Sequence, residues 1–253
     1  RGMITSFYSA FLKMGIHRDL IPEGADLTGY KILFTPFLPY VSEEFLERVT
    51  AFVHSGGIWV AGPLTGGRTE EHTIPTDAGL GAALEKLAGV ETLYTYPMDK
   101  TGTKGRAFGV EAELSLWSAV FKPVEAEAVG VLVDGLSPGD AFITERRLGA
   151  GKVVLIGSTP IGEEGNKLWA NLIEHYTAEA GVTVRTDATP GTVVAQRAGH
   201  GYELWIIVNM DGEGGSVTLP SKGVDVVSNE EISPGKLSVG RYEYRAIRLE
   251  GSE

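Results

Sequence analysis

Cysteine is absent from the 253 residues, which removes disulfides, thiolate catalysis, zinc-finger ligation and Cys-ligated iron–sulfur clusters together. The compartment stays open. No apolar run approaches the roughly 20 residues of a membrane-crossing helix, and the N-terminus "RGMITSFYSAFLKMG" has no signal-peptide cleavage region. Basic residues are few and scattered. With 22 Lys and Arg against 33 Asp and Glu the formal net charge is −11, and no basic patch is present for a nucleic-acid backbone or a membrane surface. Neither class of partner is expected. What the chain has in quantity is apolar residues, at 43%, and 34 glycines. The first suffices for one large core or two ordinary ones; the second, spread through short segments, suggests many turns.

The pattern changes near residue 182. Met3, Phe7, Phe11 and Met14 fall at helical spacing up to Gly15, predicting an amphipathic helix. Residues 16–21 and then Lys31 to Phe37 read as short strands between Pro and Gly. Ser42 is placed to cap a helix with Glu43 and Glu44 in its first turn and Phe45, Val49, Phe52 and Val53 on one face. That helix leads into "GIWVAG", so strand, helix and strand form a βαβ unit with a parallel sheet. Thr76 to Gly89 predicts a further helix, Val90 to Val133 a series of antiparallel or edge strands, "AFITERRL" and "KVVLIGS" a hairpin, and Glu163 to Ala180 a last helix. Residues 1–182 are therefore expected to be an α/β domain. From 183 to 253 the helical period is lost, and six short candidate strands separated by glycine-containing turns predict a small antiparallel β domain. A complete (β/α)₈ barrel is excluded by the four helical patterns and the all-β tail.

No motif declares an active site. "GPLTGGR" (Gly62 to Arg68) follows a strand but lacks the Lys-Ser/Thr ending of a phosphate loop and the dinucleotide spacing. "LGAGKV" (Leu148 to Val153) lies between strands and reads as a hairpin turn, and "GTKG" (Gly102 to Gly105) as a loop turn. The histidines at 17, 54, 72, 175 and 200 show no metal-ligand spacing. Of the acidic pairs Glu43/Glu44, Glu70/Glu71, Glu163/Glu164 and Glu230/Glu231, the first and third sit at helix starts, where carboxylates favour the dipole. No Gly-x-Ser-x-Gly elbow occurs. Tyr202, Trp205, Tyr242 and Tyr244 could stack on a sugar, although Trp205 lies in an alternating strand and reads as core. No catalytic, cofactor-binding or metal-ligating residue is assigned.

The order of segments resembles the β-galactosidases of glycoside hydrolase family 42. The resemblance is carried by the first helix ending at Met14-Gly15-Ile16, "ADLTGYKILFTP" (Ala25 to Pro36), "VHSGG" leading into "IWVAGPLTG", "ERRLGAGKVVLIGSTP" and "WIIVNM" with Asn209. It implies that residues 1–182 match the family's middle domain, which makes trimer contacts and has a flavodoxin-like, class I glutamine-amidotransferase-like parallel sheet with flanking helices. Residues 183–253 would be the family's C-terminal β domain. Terminal β-galactosides are hydrolysed in that family by two glutamates on an N-terminal (β/α)₈ barrel, with retention. That barrel lies outside this sequence, so no catalytic carboxylate carries over. The sequence opens on a helix where the family has a preceding strand, so a truncated or processed N-terminal edge is expected. In an amidotransferase-like fold the nucleophilic cysteine would follow "IWVAG", where Gly62-Pro63-Leu64 stands, and no thioester can form there.

The leading expectation is a non-catalytic portion of a bacterial, cytoplasmic β-galactosidase-like enzyme, homo-oligomeric and trimeric by resemblance, that supports an absent barrel and needs no cofactor. A stand-alone carbohydrate-binding or interaction module is the alternative, and a free-standing hydrolase using an acidic pair is a third.

Overall fold

The structure is a computed structural model that describes residues 8, 10–12, 14–77, 79–98, 102–182, 184–210 and 212–250, apart from the side chains of Met98 and Leu116. It divides into two compact units, one containing Ile21–Val182 and the other Tyr8–Leu20 with Thr183–Glu253. Among the described residues no helix is long and apolar enough to cross a membrane.

The first unit starts with β1 (Ile32–Thr35), α1 (Glu43–His54) and β2 (Ile58–Ala61). The Ser42 hydroxyl accepts the Phe45 N–H at 3.2 Å, and Glu43 and Glu44 occupy the first turn, where the helix dipole favours them. Phe45, Val49, Phe52 and Val53 are buried. Then follow α2 (Ala82–Ala88), β3 (Val90–Met98), β4 (Lys104–Ala107), β5 (Val110–Pro123), β6 (Glu127–Leu132), β7 (Ala141–Leu148), β8 (Gly151–Ile156), β9 (Ser158–Ile161) and α3 (Gly162–Glu179). Leu168, Leu172, Ile173 and Tyr176 form the buried face of α3.

The parallel flavodoxin-like and amidotransferase-like sheet expected from the sequence is corrected here. The chain is mostly β, 41% strand against 18% helix, and contains a closed antiparallel barrel of six strands. Parallel pairing is confined to β1 with β2 and β2 with β8. Among β4 to β9 themselves every pairing is antiparallel, and the ring closes because β8 pairs with β7 while β9, just past Gly157, pairs with β5. The physical reason is connectivity. Parallel neighbours need a crossover, as α1 supplies between β1 and β2, whereas no helix separates the strands from Val90 to Ile161, so the chain returns through hairpins. Two glycines let the barrel shut. A Cβ on Gly105 would lie 2.6 Å from the Phe142 ring, and one on Gly157 would strike the Ala119 carbonyl.

Two local expectations also change. The helix predicted from Thr76 begins only at Ala82, because Gly81 takes φ 89 and leaves buried Leu80 ahead of the first turn. Residues 16–21 form no strand. Of the predicted helix from Met3 to Gly15, residues 1–7, 9 and 13 lie outside the described residues, while Tyr8, Ala10, Phe11 and Leu12 are helical. Gly15, at φ 64, ends it as a Schellman cap: its N–H bonds the Leu12 carbonyl at 3.2 Å and the Ile16 N–H that of Phe11 at 3.2 Å.

The second unit holds β10 (Thr192–Gly199), β11 (Tyr202–Asn209), β12 (Gly215–Leu219), β13 (Gly223–Asp225), β14 (Glu231–Ile232), β15 (Gly235–Val239) and β16 (Tyr244–Glu250). Five form one sheet in the order β10-β11-β16-β13-β14, and β12 pairs with β15. Val194, Trp205, Ile207, Val217, Ile247 and Leu249 belong to the core between them.

Candidate functional site

The densest group of ionisable side chains in the first unit surrounds Lys152. The β7–β8 hairpin turns at Gly149 and Ala150, and its register sets Glu145, Arg147 and Lys152 on one face, beside the last turns of α3. Lys152 is buried. Its ammonium bridges Glu145 Oε1 and Glu179 Oε2, each at 2.7 Å. The Tyr176 hydroxyl donates to Glu145 Oε2 at 3.0 Å, and His175 Nε2 and Arg147 lie 3.9 and 3.8 Å from the Glu179 carboxylate. Phe108, in the left-handed region at φ 49, packs against His175 at a tilt and against Tyr176 edge-on. Burial, and then the charge and hydrogen bond of Glu145, push the Tyr176 hydroxyl well above the ordinary tyrosine range.

Glu145, His175 and Glu179 are the one His and carboxylate group among the described residues with metal-like spacing. The donors do not fit a divalent cation, because the Lys152 ammonium already stands where the two carboxylates converge. Nor do they fit glycoside hydrolysis: that chemistry needs two carboxyls facing open space across a sugar, and these are locked together by a lysine. Neither of two surface clefts, of 440 and 360 Å³, is lined by them. The arrangement fastens α3 to the hairpin.

The residues singled out from the sequence are dispersed. In the loop after β2 the N–H groups of Gly62, Gly66 and Arg68 donate to the carbonyls of Thr35, Leu38 and Pro39 at 2.8–2.9 Å, so the donors a phosphate cradle would aim outward are spent internally. Leu64 sits at φ 63 in that loop and offers no nucleophile. Leu148 to Val153 is the hairpin turn, and Gly102 to Gly105 leads into β4. All five histidines are exposed, and only His175 joins an acidic group. Glu163 and Glu164 face the smaller cleft with Glu111 and Glu113, yet Lys167 neutralises them at 3.4 and 2.6 Å and Arg106 pairs with Glu111 at 2.9 Å. Glu43 and Glu44 remain helix-start residues, and Glu70 and Glu71 are exposed in a loop. Glu231 pairs with Lys222 at 3.0 Å and Glu230 lies 3.5 Å from Arg245.

In the second unit Trp205 is 3% exposed beneath the Arg185 guanidinium, a core residue, while Tyr202, Tyr242 and Tyr244 are exposed. Asp225 is buried and receives the Val227 N–H at 3.0 Å and the Arg245 guanidinium at 3.2 Å. Burial works to raise its carboxyl, but these donors outweigh burial and hold it below the usual carboxylate range. Leu148 to Val153 reads in sequence only as a hairpin turn; the hairpin register is the signal that places Glu145 diagonal to Lys152.

Residues 1–183 match the family described as β-galactosidase trimerisation domain, and residues 191–249 the β-galactosidase C-terminal domain. The chain is 52% identical over 250 residues to the β-galactosidase YesZ of Bacillus subtilis, covering 99% of this chain and 38% of that protein. It is 54% identical over 249 residues to YesZ of Bacillus licheniformis, covering 98% of this chain and 37% of that protein. The chain thus spans somewhat over a third of the length of these curated relatives. In fold it is similar to the β-galactosidase from Bacillus circulans sp. alkalophilus, with TM-score 0.84 at 21% identity over 98% of this chain and 37% of that one.

Proposed function

Because the chain belongs to the glycoside hydrolase family 42 β-galactosidases through its trimerisation and C-terminal domains, we propose that it is the assembly and support portion of a longer enzyme that hydrolyses terminal β-D-galactosides. The observation that carries this is the pair of domain matches, at residues 1–183 and 191–249, in that order. Residues 1–182 serve trimer formation and residues 183–253 form an appended β domain. Galactoside binding and both catalytic carboxylates belong to the part of the relatives that this chain does not span, and a cytoplasmic location goes with the same reading. The ion cluster around Lys152 supports the division of labour, since its carboxylates are committed to a buried ammonium. A nitrophenyl β-galactoside assay is the test. The purified chain is expected to show no turnover, and hydrolysis that survives removal of contaminating enzyme overturns the proposal.

A further inference from the structure

The five-stranded sheet of the second unit has two apolar faces. Its inner positions, among them Trp205, Ile207, Ile247 and Leu249, fill the core. An antiparallel sheet covered on one side normally turns polar residues to the other, and along the rows around Ile206 this one does not. The outward positions of β11 are Tyr202, Leu204, Ile206 and Val208. Ile206 lies opposite Ala195 on one side and Ala246 on the other. The Val226 N–H donates to the Ala246 carbonyl at 2.8 Å and extends the row by a fourth apolar side chain. Ile206 is 37% exposed, Val226 44% and Tyr244 58%. Leu204 is flanked across the strands by Arg197 and Arg248, and Tyr202 faces Glu250, so one end of the apolar surface carries two cations against one carboxylate on a chain of net charge −11.

We propose that this face, centred on Ile206, is where the remainder of the longer enzyme docks, through an apolar protein surface that carries carboxylates for Arg197 and Arg248. The inference rests on the reading that the chain is part of such an enzyme. The B. subtilis relative accommodates 99% of this chain within 38% of its own length, so most of that protein lies elsewhere, and an open apolar face is what an absent neighbour leaves behind. Arg197 and Arg248 outnumber Glu250 in the face, and that positive excess favours opposite charge on whatever covers it. A second copy is the poorer occupant, since the trimerisation match ends at residue 183, before the sheet begins. A sugar is poorer too. Tyr202 and Tyr244 stand at opposite ends of the β11 row, with Tyr244 across from Val208, roughly 20 Å apart at the rise of a strand, and aliphatic side chains fill the space between.

The absence of cysteine makes a direct test possible. Ile206→Cys and Val226→Cys report on the face, and Ser238→Cys, exposed on β15, serves as control. Maleimide labelling rates are compared between this chain and a polypeptide in which it follows the N-terminal portion of the B. subtilis relative. Both face cysteines are expected to react at least about tenfold more slowly in the joined polypeptide, with Ser238→Cys unchanged; circular dichroism checks that each variant folds. Equal rates in the two polypeptides overturn the proposal. So does protection in the chain alone that disappears on dilution, which assigns the face to a second copy. Galactoside hydrolysis by the joined polypeptide reports separately on the enzyme reading, so an active protein with an unprotected Ile206→Cys sinks the docking inference alone.

Discussion

In the first unit β2 and β8 are buried along their whole length, with a core of α1 and α2 side chains packed around them. In the second unit β11 alternates from Leu204 onward between open and buried positions, and the more open ones, Leu204, Ile206 and Val208, are nevertheless apolar. A parallel pair flanked by helices satisfies itself, whereas an antiparallel sheet with one core and two apolar faces is incomplete alone. The same contrast runs through the charges. The buried cation of the first unit is held by two carboxylates, while Arg197 and Arg248 of the second stand in the open apolar face.

The contrast breaks most sharply at Lys152. Lys152→Ala leaves Glu145 and Glu179 facing each other without their bridge, and the first unit is expected to lose about 3 kcal/mol. Calorimetry should show that unit's transition falling while the second unit's stays; a joint shift, or none, contradicts the separation. A smaller effect, roughly 2 kcal/mol at neutral pH, is expected from Asp225→Asn in the second unit. The sign with pH follows from the lowered carboxyl. A folded-state value below the ordinary 3.8 stabilises above pH 4, and that stability is lost as pH falls further through the folded value. Acid titration of the wild type should therefore destabilise the second unit below pH 4, and Asp225→Asn should remove that slope; an unchanged slope rules out Asp225 as its source.

The parts of this architecture that could be read from sequence are local. Ser42, two glutamates and a stripe from Phe45 to Val53 specify α1 within one segment, and the alternation in β11 marks Trp205 as core. Barrel closure was not legible. It depends on β5 meeting β9, with Ser118 beside Ser158, and no periodicity within either strand encodes a partner 40 residues away. The helix predicted from Thr76 to Gly89 shows the same limit at short range, since the backbone at Gly81 overrides an apolar stripe that includes Leu80. Nor could the cluster at Lys152 be seen, because its carboxylates lie on two elements, β7 and α3.

The most direct test of the division of labour is the mass of the purified chain in solution by light scattering across a concentration series. The account expects a particle of three chains, three times the 27.0 kDa of one, and a particle that remains at the mass of one chain at the highest concentration would contradict it.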